Sequence, residues 1–233
     1  TLKNDYAEAY NNLGAIFKQH GKLEEAEINY RQVIALKKEH AEAYNNLGAT
    51  LQELGVLKEA ELNYKKAISL RTGYEEAYNN LGAILLELGK IKKAEERFKQ
   101  AIKYNNDYAE AHRNLSIVKS YNFQDKQYLK MQELYLNKNI SEEQRCHINF
   151  GLAKASEDLE NFEQAFKYYS EGNKIRKKLL SYDISQDIKI FKQLKSSYYK
   201  IRQNSEKLDI FEEKPVPIFI VGMFRSGTTL VEQ

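Results

Sequence analysis

One nine-residue segment recurs in this chain at a constant spacing, and this recurrence limits the possible folds more than any other feature. Ala-Glu-Ala-Tyr-Asn-Asn-Leu-Gly-Ala begins at Ala7 and again at Ala41, and a copy with one replacement begins at Glu75. The leucine of the segment returns every 34 residues, at Leu13, Leu47, Leu81 and Leu115. A fixed period of this length indicates stacked copies of one unit, each covering the apolar face of its neighbour.

The residue types at each phase suit a unit of two packed helices. A glycine in the first helix lets the second helix approach closely, and another glycine fits the turn between them, where positive φ is easiest for glycine. Alanine is the matching small contact on the second helix, and an aromatic residue fills the space between units. In the first unit these residues are Gly14, Gly21, Ala26 and Tyr30, with counterparts in the next two units.

This period and pattern are those of tetratricopeptide repeats. We predict repeats over residues 1–119, as a partial unit followed by repeats at 7–40, 41–74 and 75–108 and a degenerate repeat at 109–119. The last of these loses register at Ser116 and Lys119. Beyond it we predict a polar connector over 120–140, a repeat-like helical pair over 141–180 and an amphipathic linker helix over 181–214.

A different kind of segment follows two prolines, Pro215 and Pro217. A short apolar run leads into residues 222–229, which read G-x-x-x-x-G-T-T. This is the spacing of a nucleotide-binding P-loop, except that Thr228 stands where a nucleotide hydrolase has lysine. The cation is instead Arg225, whose planar fork can bind two oxygens of an anion. We therefore predict a strand, an anion-binding loop and the start of a helix.

Residues 218–233 closely resemble the 5′-phosphosulfate loop of sulfotransferases, especially tyrosylprotein sulfotransferases and bacterial sulfotransferases that carry tetratricopeptide repeats. The match covers less than a tenth of the chain, and Phe224 stands where the family usually has proline. The resemblance implies 3′-phosphoadenylyl sulfate as sulfuryl donor, no metal, and a general base beyond Gln233. It also implies that the donor binds Arg225, Ser226, Gly227, Thr228 and Thr229.

The predicted fold class is mainly α. It is a right-handed α-solenoid of tetratricopeptide repeats, followed over residues 215–233 by the first strand, P-loop-like turn and helix start of an α/β sulfotransferase domain. Residues 2–6 sit at the phase of a repeat's tail, and the chain stops a few residues into the helix after the loop. We therefore expect a fragment that is truncated at both ends.

Composition excludes several function classes. A net charge of +3 is too small to indicate nucleic acid as a partner. No apolar run approaches the ~20 residues needed to cross a bilayer, so no membrane span is expected. The four histidines lack ligand spacing, so no metal site is expected. Cys146 is the only cysteine, which excludes an internal disulfide and fits a reducing, cytoplasmic location.

Asparagine is the one repeated polar feature. One phase carries Asn12, Asn46, Asn80 and Asn114, with a second asparagine beside each of the first three. An amide side chain offers both a donor and an acceptor, so it can pair with a peptide backbone irrespective of sequence. A similar ladder lines the repeats of O-linked N-acetylglucosamine transferase and holds peptide, which implies a protein or peptide on the concave surface here. The alternative is that asparagine is ordinary repeat consensus.

Three functions remain open. The first is a sulfotransferase that moves a sulfuryl group to a hydroxyl acceptor such as protein tyrosine, with the repeats recruiting the acceptor or a partner. The second is a non-catalytic interaction scaffold. The third is a nucleotide kinase or hydrolase, against which Thr228 and the lack of a visible magnesium-binding aspartate argue. Sequence beyond Gln233 would discriminate between the first two.

Overall fold

The computed structural model describes the backbone of residues 2–205 and the side chains of residues 6–198 except 186. Within residues 2–205 the chain forms eleven α-helices and no β-strand, which confirms the mainly α part of the predicted fold. The strand and loop predicted over 215–233 lie outside the described residues. The helices are α1 Leu2–Gln19, α2 Leu23–Leu36, α3 Ala41–Glu53, α4 Leu57–Leu70, α5 Glu75–Glu87, α6 Ile91–Tyr104, α7 Ala109–Val118, α8 Lys126–Leu136, α9 Glu142–Asp158, α10 Phe162–Leu179 and α11 Ile184–Ser205.

The first six helices form three antiparallel pairs that stack in chain order. We call α1, α3, α5 and α7 the A helices, and α2, α4 and α6 the B helices. Each B helix packs on the A helix before it and on the A helix after it. The chain divides into two units between residues 182 and 183, so that α1 to α10 belong to the first unit and α11 to the second. No helix among the described residues is long and apolar enough to span a bilayer.

Within each pair, an aromatic ring of the B helix lies directly against a glycine of the A helix. A Cβ atom built on Gly48 would lie 2.9 Å from Cδ1 of Tyr64, and Tyr64 is fully buried. The same contact joins Gly14 to Tyr30, and Gly82 to Phe98. The glycine therefore sets how closely the two helices approach.

The fourth unit departs from this arrangement because both of its glycines are replaced. Ser116 stands at the phase of Gly82, and its buried hydroxyl donates to the Arg113 carbonyl oxygen at 2.6 Å. Phe123 stands at the phase of Gly89, which has a φ of 71° that a phenylalanine rarely adopts. Accordingly α7 has 10 residues where α5 has 13.

A different helix takes the position beside α7. The segment predicted as a connector contains α8, which begins after Asp125; the Asp125 carboxylate caps it by accepting from two backbone N–H groups. α7 packs mainly on α9 rather than on α8. Gly151 of α9 lies at this contact: a Cβ atom there would be 3.5 Å from Cα of Arg113 on α7, an ordinary contact distance, but only 2.8 Å from Sδ of Met131 on α8. α8, α9 and α10 then share a second apolar core around Met131 and Leu152.

Gly48→Ala tests the ring-on-glycine contact. Although alanine favours a helix over glycine, the new methyl group would overlap the buried Tyr64 ring, so we expect a net loss of about 1 to 3 kcal/mol in the free energy of unfolding. Urea unfolding measures this loss. In a Tyr64→Leu background the same substitution should cost much less, because the ring is gone. An equal loss in both backgrounds would contradict the contact as the cause.

Candidate functional site

The repeated asparagines lie where consecutive A helices meet. Each hydrogen bond between them joins an asparagine of one repeat position to an asparagine of the neighbouring position on the preceding A helix. Asn46 Nδ2 donates to Asn11 Oδ1 at 3.5 Å, and Asn80 Nδ2 donates to Asn45 Oδ1 at 3.1 Å. Farther along, Asn114 Nδ2 donates to Asn79 Oδ1 at 2.9 Å. We call Asn11, Asn45 and Asn79 the inner asparagines, and Asn12, Asn46, Asn80 and Asn114 the outer asparagines.

The inner asparagines also reach forward to a glutamate on the next A helix. Asn11 Nδ2 donates to Glu42 Oε1 at 3.4 Å, and Asn45 Nδ2 donates to Glu76 Oε1 at 2.9 Å. Asn45 is only 1% exposed and uses its acceptor and its donor to join α3 to α5. The inner asparagines therefore hold the A helices together, a role that sequence reasoning missed. The signal was present, because these glutamates also recur every 34 residues.

A second contact joins the same helices two turns later. Lys18, seven residues after Asn11, forms an ion pair with Glu53 at 3.2 Å. Gln52, seven residues after Asn45, donates to Glu87 Oε1 at 2.5 Å. A separation of seven residues keeps both contacts on one face of the helix. Each of the first two steps, from α1 to α3 and from α3 to α5, thus places two glutamates on this face.

These carboxylates affect the buried phenols beneath them. Burial is the main cause that raises the pKa of Tyr64, and the negative charges of Glu76, Glu87 and Glu53 raise it further. The Tyr64 hydroxyl donates to Gln52 Oε1 at 3.0 Å, which places it between α3 and α5. Three glutamates of this face therefore raise the pKa of the same tyrosine.

The pattern changes at the step from α5 to α7. Asn79 is 1% exposed, and its Nδ2 atom has no hydrogen-bond partner among the described residues. The glutamate at the expected phase is Glu110, whose Oε2 accepts from the Tyr108 hydroxyl at 3.4 Å. The second contact is also lost, because Leu86 stands at the phase of Gln52. The bonded series of amides and carboxylates therefore ends here with an unpaired donor.

Comparison with known proteins identifies the units that carry this face. A model of the tetratricopeptide repeat matches residues 39–107, and a second model of the same repeat matches residues 16–55. Together the two models match residues 16–107, which are 92 of the 233 residues of the chain. Both matches end before residues 215–233, so the resemblance of that segment to sulfotransferases stays a prediction.

Other similar proteins agree with a repeat fold. An uncharacterized protein of Aquifex aeolicus (strain VF5) is 29% identical over 123 residues, which are 50% of this chain and 15% of that protein. The chain therefore matches about 15% of the length of this curated relative. Pseudomonas aeruginosa PilF superposes with a TM-score of 0.58 at 22% identity, over 75% of this chain and 78% of PilF. YrrB, a tetratricopeptide repeat protein with an unusual peptide-binding site, superposes with a TM-score of 0.50 at 20% identity, over 71% of this chain and 84% of YrrB.

The outer asparagines of these repeats face a strip of small residues. Asn12 is exposed, whereas Asn46, Asn80 and Asn114 are half-buried, and among the described residues none donates to the Oδ1 atoms of these three. The peptide-binding ladder of outer asparagines stays a prediction, and Asn46 and Asn80 also bond to the preceding A helix. Three residues after each of the first three outer asparagines comes an alanine that is not buried, at Ala15, Ala49 and Ala83. We call the surface of outer asparagines and alanines the A-helix face.

A separate cavity of about 640 Å³ lies where α7 is shortened, between α6 and α8. Lysines line it, but Lys119 pairs with Asp125 at 2.6 Å and Lys130 pairs with Asp107 at 2.9 Å. The carboxylates that neutralise these lysines leave little charge for an anionic ligand. The A-helix face is therefore the stronger candidate site.

Asn45→Ala tests the structural role of the inner asparagines. It removes the hydrogen bonds of the buried Asn45 side chain to the half-buried Asn80 amide and to the charged Glu76 carboxylate, so we expect a loss of about 1 to 3 kcal/mol in the free energy of unfolding. Asn12→Ala is the matched control, because the same replacement at an exposed helical position should change stability by about 0.5 kcal/mol or less. Urea unfolding compares the two. Equal losses would mean that the bonds of Asn45 contribute nothing.

Proposed function

We propose that this protein is a binding scaffold whose A-helix face holds an extended segment of polypeptide. The observation that carries the proposal is the row of outer asparagines, Asn46, Asn80 and Asn114, which are spaced by one repeat and offer Oδ1 acceptors that no described residue uses. A peptide N–H can donate to such an acceptor whatever the side chain of that residue is.

The alanines make room for a peptide backbone beside these amides. Ala49 and Ala83 are half-buried, Ala49 also packs against the apolar core, and each lies nearly one turn after an outer asparagine on the same helix. A larger side chain at either position would stand in the path of a chain that crosses the A helices.

The bonds between helices also support binding by holding the amides in place. Asn80 Nδ2 is already bonded to Asn45, so the orientation of the Asn80 carbonyl group is set before a ligand arrives. A preorganised group loses less conformational entropy on binding. The peptide-binding site of YrrB supports the proposal only as an analogy of fold.

Ala49→Leu combined with Ala83→Leu tests the binding face without removing any hydrogen bond. Selection from a phage-displayed library of random peptides should yield binders to the wild-type chain. The double variant should bind them about tenfold more weakly or worse, a loss of about 1.4 kcal/mol, because the leucines block the strip. Ala35→Leu, at an exposed alanine of α2, is the control and should leave affinity unchanged. Failure to enrich any peptide, or equal binding by all three proteins, would contradict the proposal.

Sulfotransferase activity of the whole protein is a second candidate, and the G-x-x-x-x-G-T-T segment with Arg225 supports it. Sulfuryl transfer requires positioning and charge stabilisation rather than covalent work by the protein. Arg225 and the backbone amides after it would stabilise the charge that accumulates on the departing phosphate. The repeats would then bring a hydroxyl-bearing protein to the donor, 3′-phosphoadenylyl sulfate.

Arg225→Lys tests the second candidate in the full-length protein. Lysine keeps the charge but loses the two-armed contact, so we expect binding of 3′-phosphoadenosine 5′-phosphate to weaken by about 1 to 3 kcal/mol. Calorimetric titration measures the affinity, and Lys189→Arg outside the loop serves as a control. Unchanged affinity in Arg225→Lys would rule out the assigned role.

A further inference from the structure

We propose that the segment held on the A-helix face is basic, with lysine or arginine side chains that pair with two rows of glutamates on either side of the outer asparagines. The proposal rests on the peptide-binding function proposed above and adds the chemistry of the partner. It concerns an extended polypeptide segment, not a folded surface.

The two central A helices, α3 and α5, carry only negatively charged side chains. α3 and α5 together contain five glutamates and no lysine, arginine or aspartate. By contrast, α6 contains five basic residues and two acidic ones, and the whole chain has a net charge of +3. An acidic strip on a chain that is basic as a whole favours a cationic partner at that strip.

The glutamates form two rows that run along the stack. Glu42 and Glu76 belong to the first row, and Glu53 and Glu87 belong to the second. Each glutamate of the second row comes eleven residues after one of the first row, which is close to three helical turns and so keeps both on one face. The outer asparagines lie between the rows in the sequence of each helix. A peptide that follows these asparagines therefore runs with a row of carboxylates on each side.

Most of these carboxylates keep their charge available. Glu42, Glu76 and Glu87 accept hydrogen bonds from the neutral amides of Asn11, Asn45 and Gln52. All four row members named above are exposed, and within the described residues only Glu53 of the four is in an ion pair, with Lys18. A neutral donor orients a carboxylate without cancelling its charge.

Successive side chains of an extended peptide point to opposite sides, so neighbouring lysines or arginines reach both rows. The electrostatic effect on Tyr64, whose pKa is raised by burial and then by three of these glutamates, is consistent with charges that act together.

A buried donor at the end of the first row also indicates a ligand. Asn79 Nδ2 stands at the phase where Asn11 and Asn45 donate to glutamates, but no residue that the structure describes accepts from it. An unpaired buried N–H is costly, and an extended peptide presents carbonyl oxygens that can accept from it. At the step from α5 to α7, a ligand would have to offer an oxygen acceptor to Asn79 and a positive charge to the neighbouring carboxylate. One lysine or arginine residue offers both, through its backbone carbonyl and its side chain.

Three peptides of equal length test the proposal, built from repeats of Ser-Lys-Lys, Ser-Gln-Gln and Ser-Glu-Glu. Fluorescence anisotropy should give the tightest binding for the lysine peptide, about tenfold tighter than the glutamine peptide, and no measurable binding for the glutamate peptide. The advantage of the lysine peptide should shrink as salt is raised.

A charge variant of the face identifies the groups responsible. Glu42→Gln, Glu76→Gln and Glu87→Gln together keep an acceptor oxygen for each amide donor while removing three charges. The lysine peptide should bind this variant about tenfold more weakly, and the glutamine peptide should be unaffected. Glu24→Gln, Glu25→Gln and Glu96→Gln remove the same charge from B helices, and this control should change binding by about twofold or less.

The outcomes separate this inference from the proposed function. If the glutamine or glutamate peptide binds as tightly as the lysine peptide, and the Ala49→Leu and Ala83→Leu variant loses that binding, the partner is not basic but the face still binds peptide. If the control variant weakens lysine binding as much as the face variant, the glutamate rows are not the site. If none of the three peptides binds and the library yields none, both proposals are wrong. Urea unfolding establishes that each variant is folded.

Discussion

Aromatic rings packed on glycines across each helix pair are the contacts on which the rest of this structure depends. With the Tyr64 ring packed directly against Gly48, α4 lies close to α3, and α5 also packs on α4. This close approach repeats in each of the three pairs. It brings consecutive A helices near enough for a short side chain such as Asn45 to touch both Glu76 and Asn80. A wider spacing would put these bonds out of reach.

The hydrogen bonds that asparagine side chains form between A helices stabilise the stack and still leave groups at the surface that can bind a partner. Asn45 uses both its donor and its acceptor in these hydrogen bonds, whereas its neighbour Asn46 has an Oδ1 acceptor that no described residue uses. Glutamates that would otherwise be mobile are oriented by neutral amides, so their charge is positioned without being neutralised. The same set of bonds thus supports the stack and arranges the groups that a partner would meet. A substitution at one of these residues would therefore change both the stability of the stack and the groups available for binding.

The repeating part of the fold could be predicted from the sequence, because glycine, alanine and aromatic residues return at fixed phases with a direct steric meaning. The distinction between Asn45 and Asn46 could not, because two identical neighbours differ only in the rotation of their helix against the next one. The pairing of α7 with α9 was also beyond reach, since it joins helices that are not consecutive. Ser116 in place of glycine did signal that the fourth unit differs, but not which helix would replace the missing partner.

The irregular fourth unit gives the row of repeats a distinguishable end. On a stack of identical repeats, a bound chain could shift by one repeat and find the same groups again, so many alignments would be equal in energy. Here α7 lacks the second glutamate contact, and the Nδ2 atom of Asn79 has no acceptor in the described part of the chain, so this step differs from those before it. That difference breaks the translational degeneracy of the stack. A segment lying along it would consequently have one preferred alignment rather than a set of equivalent ones.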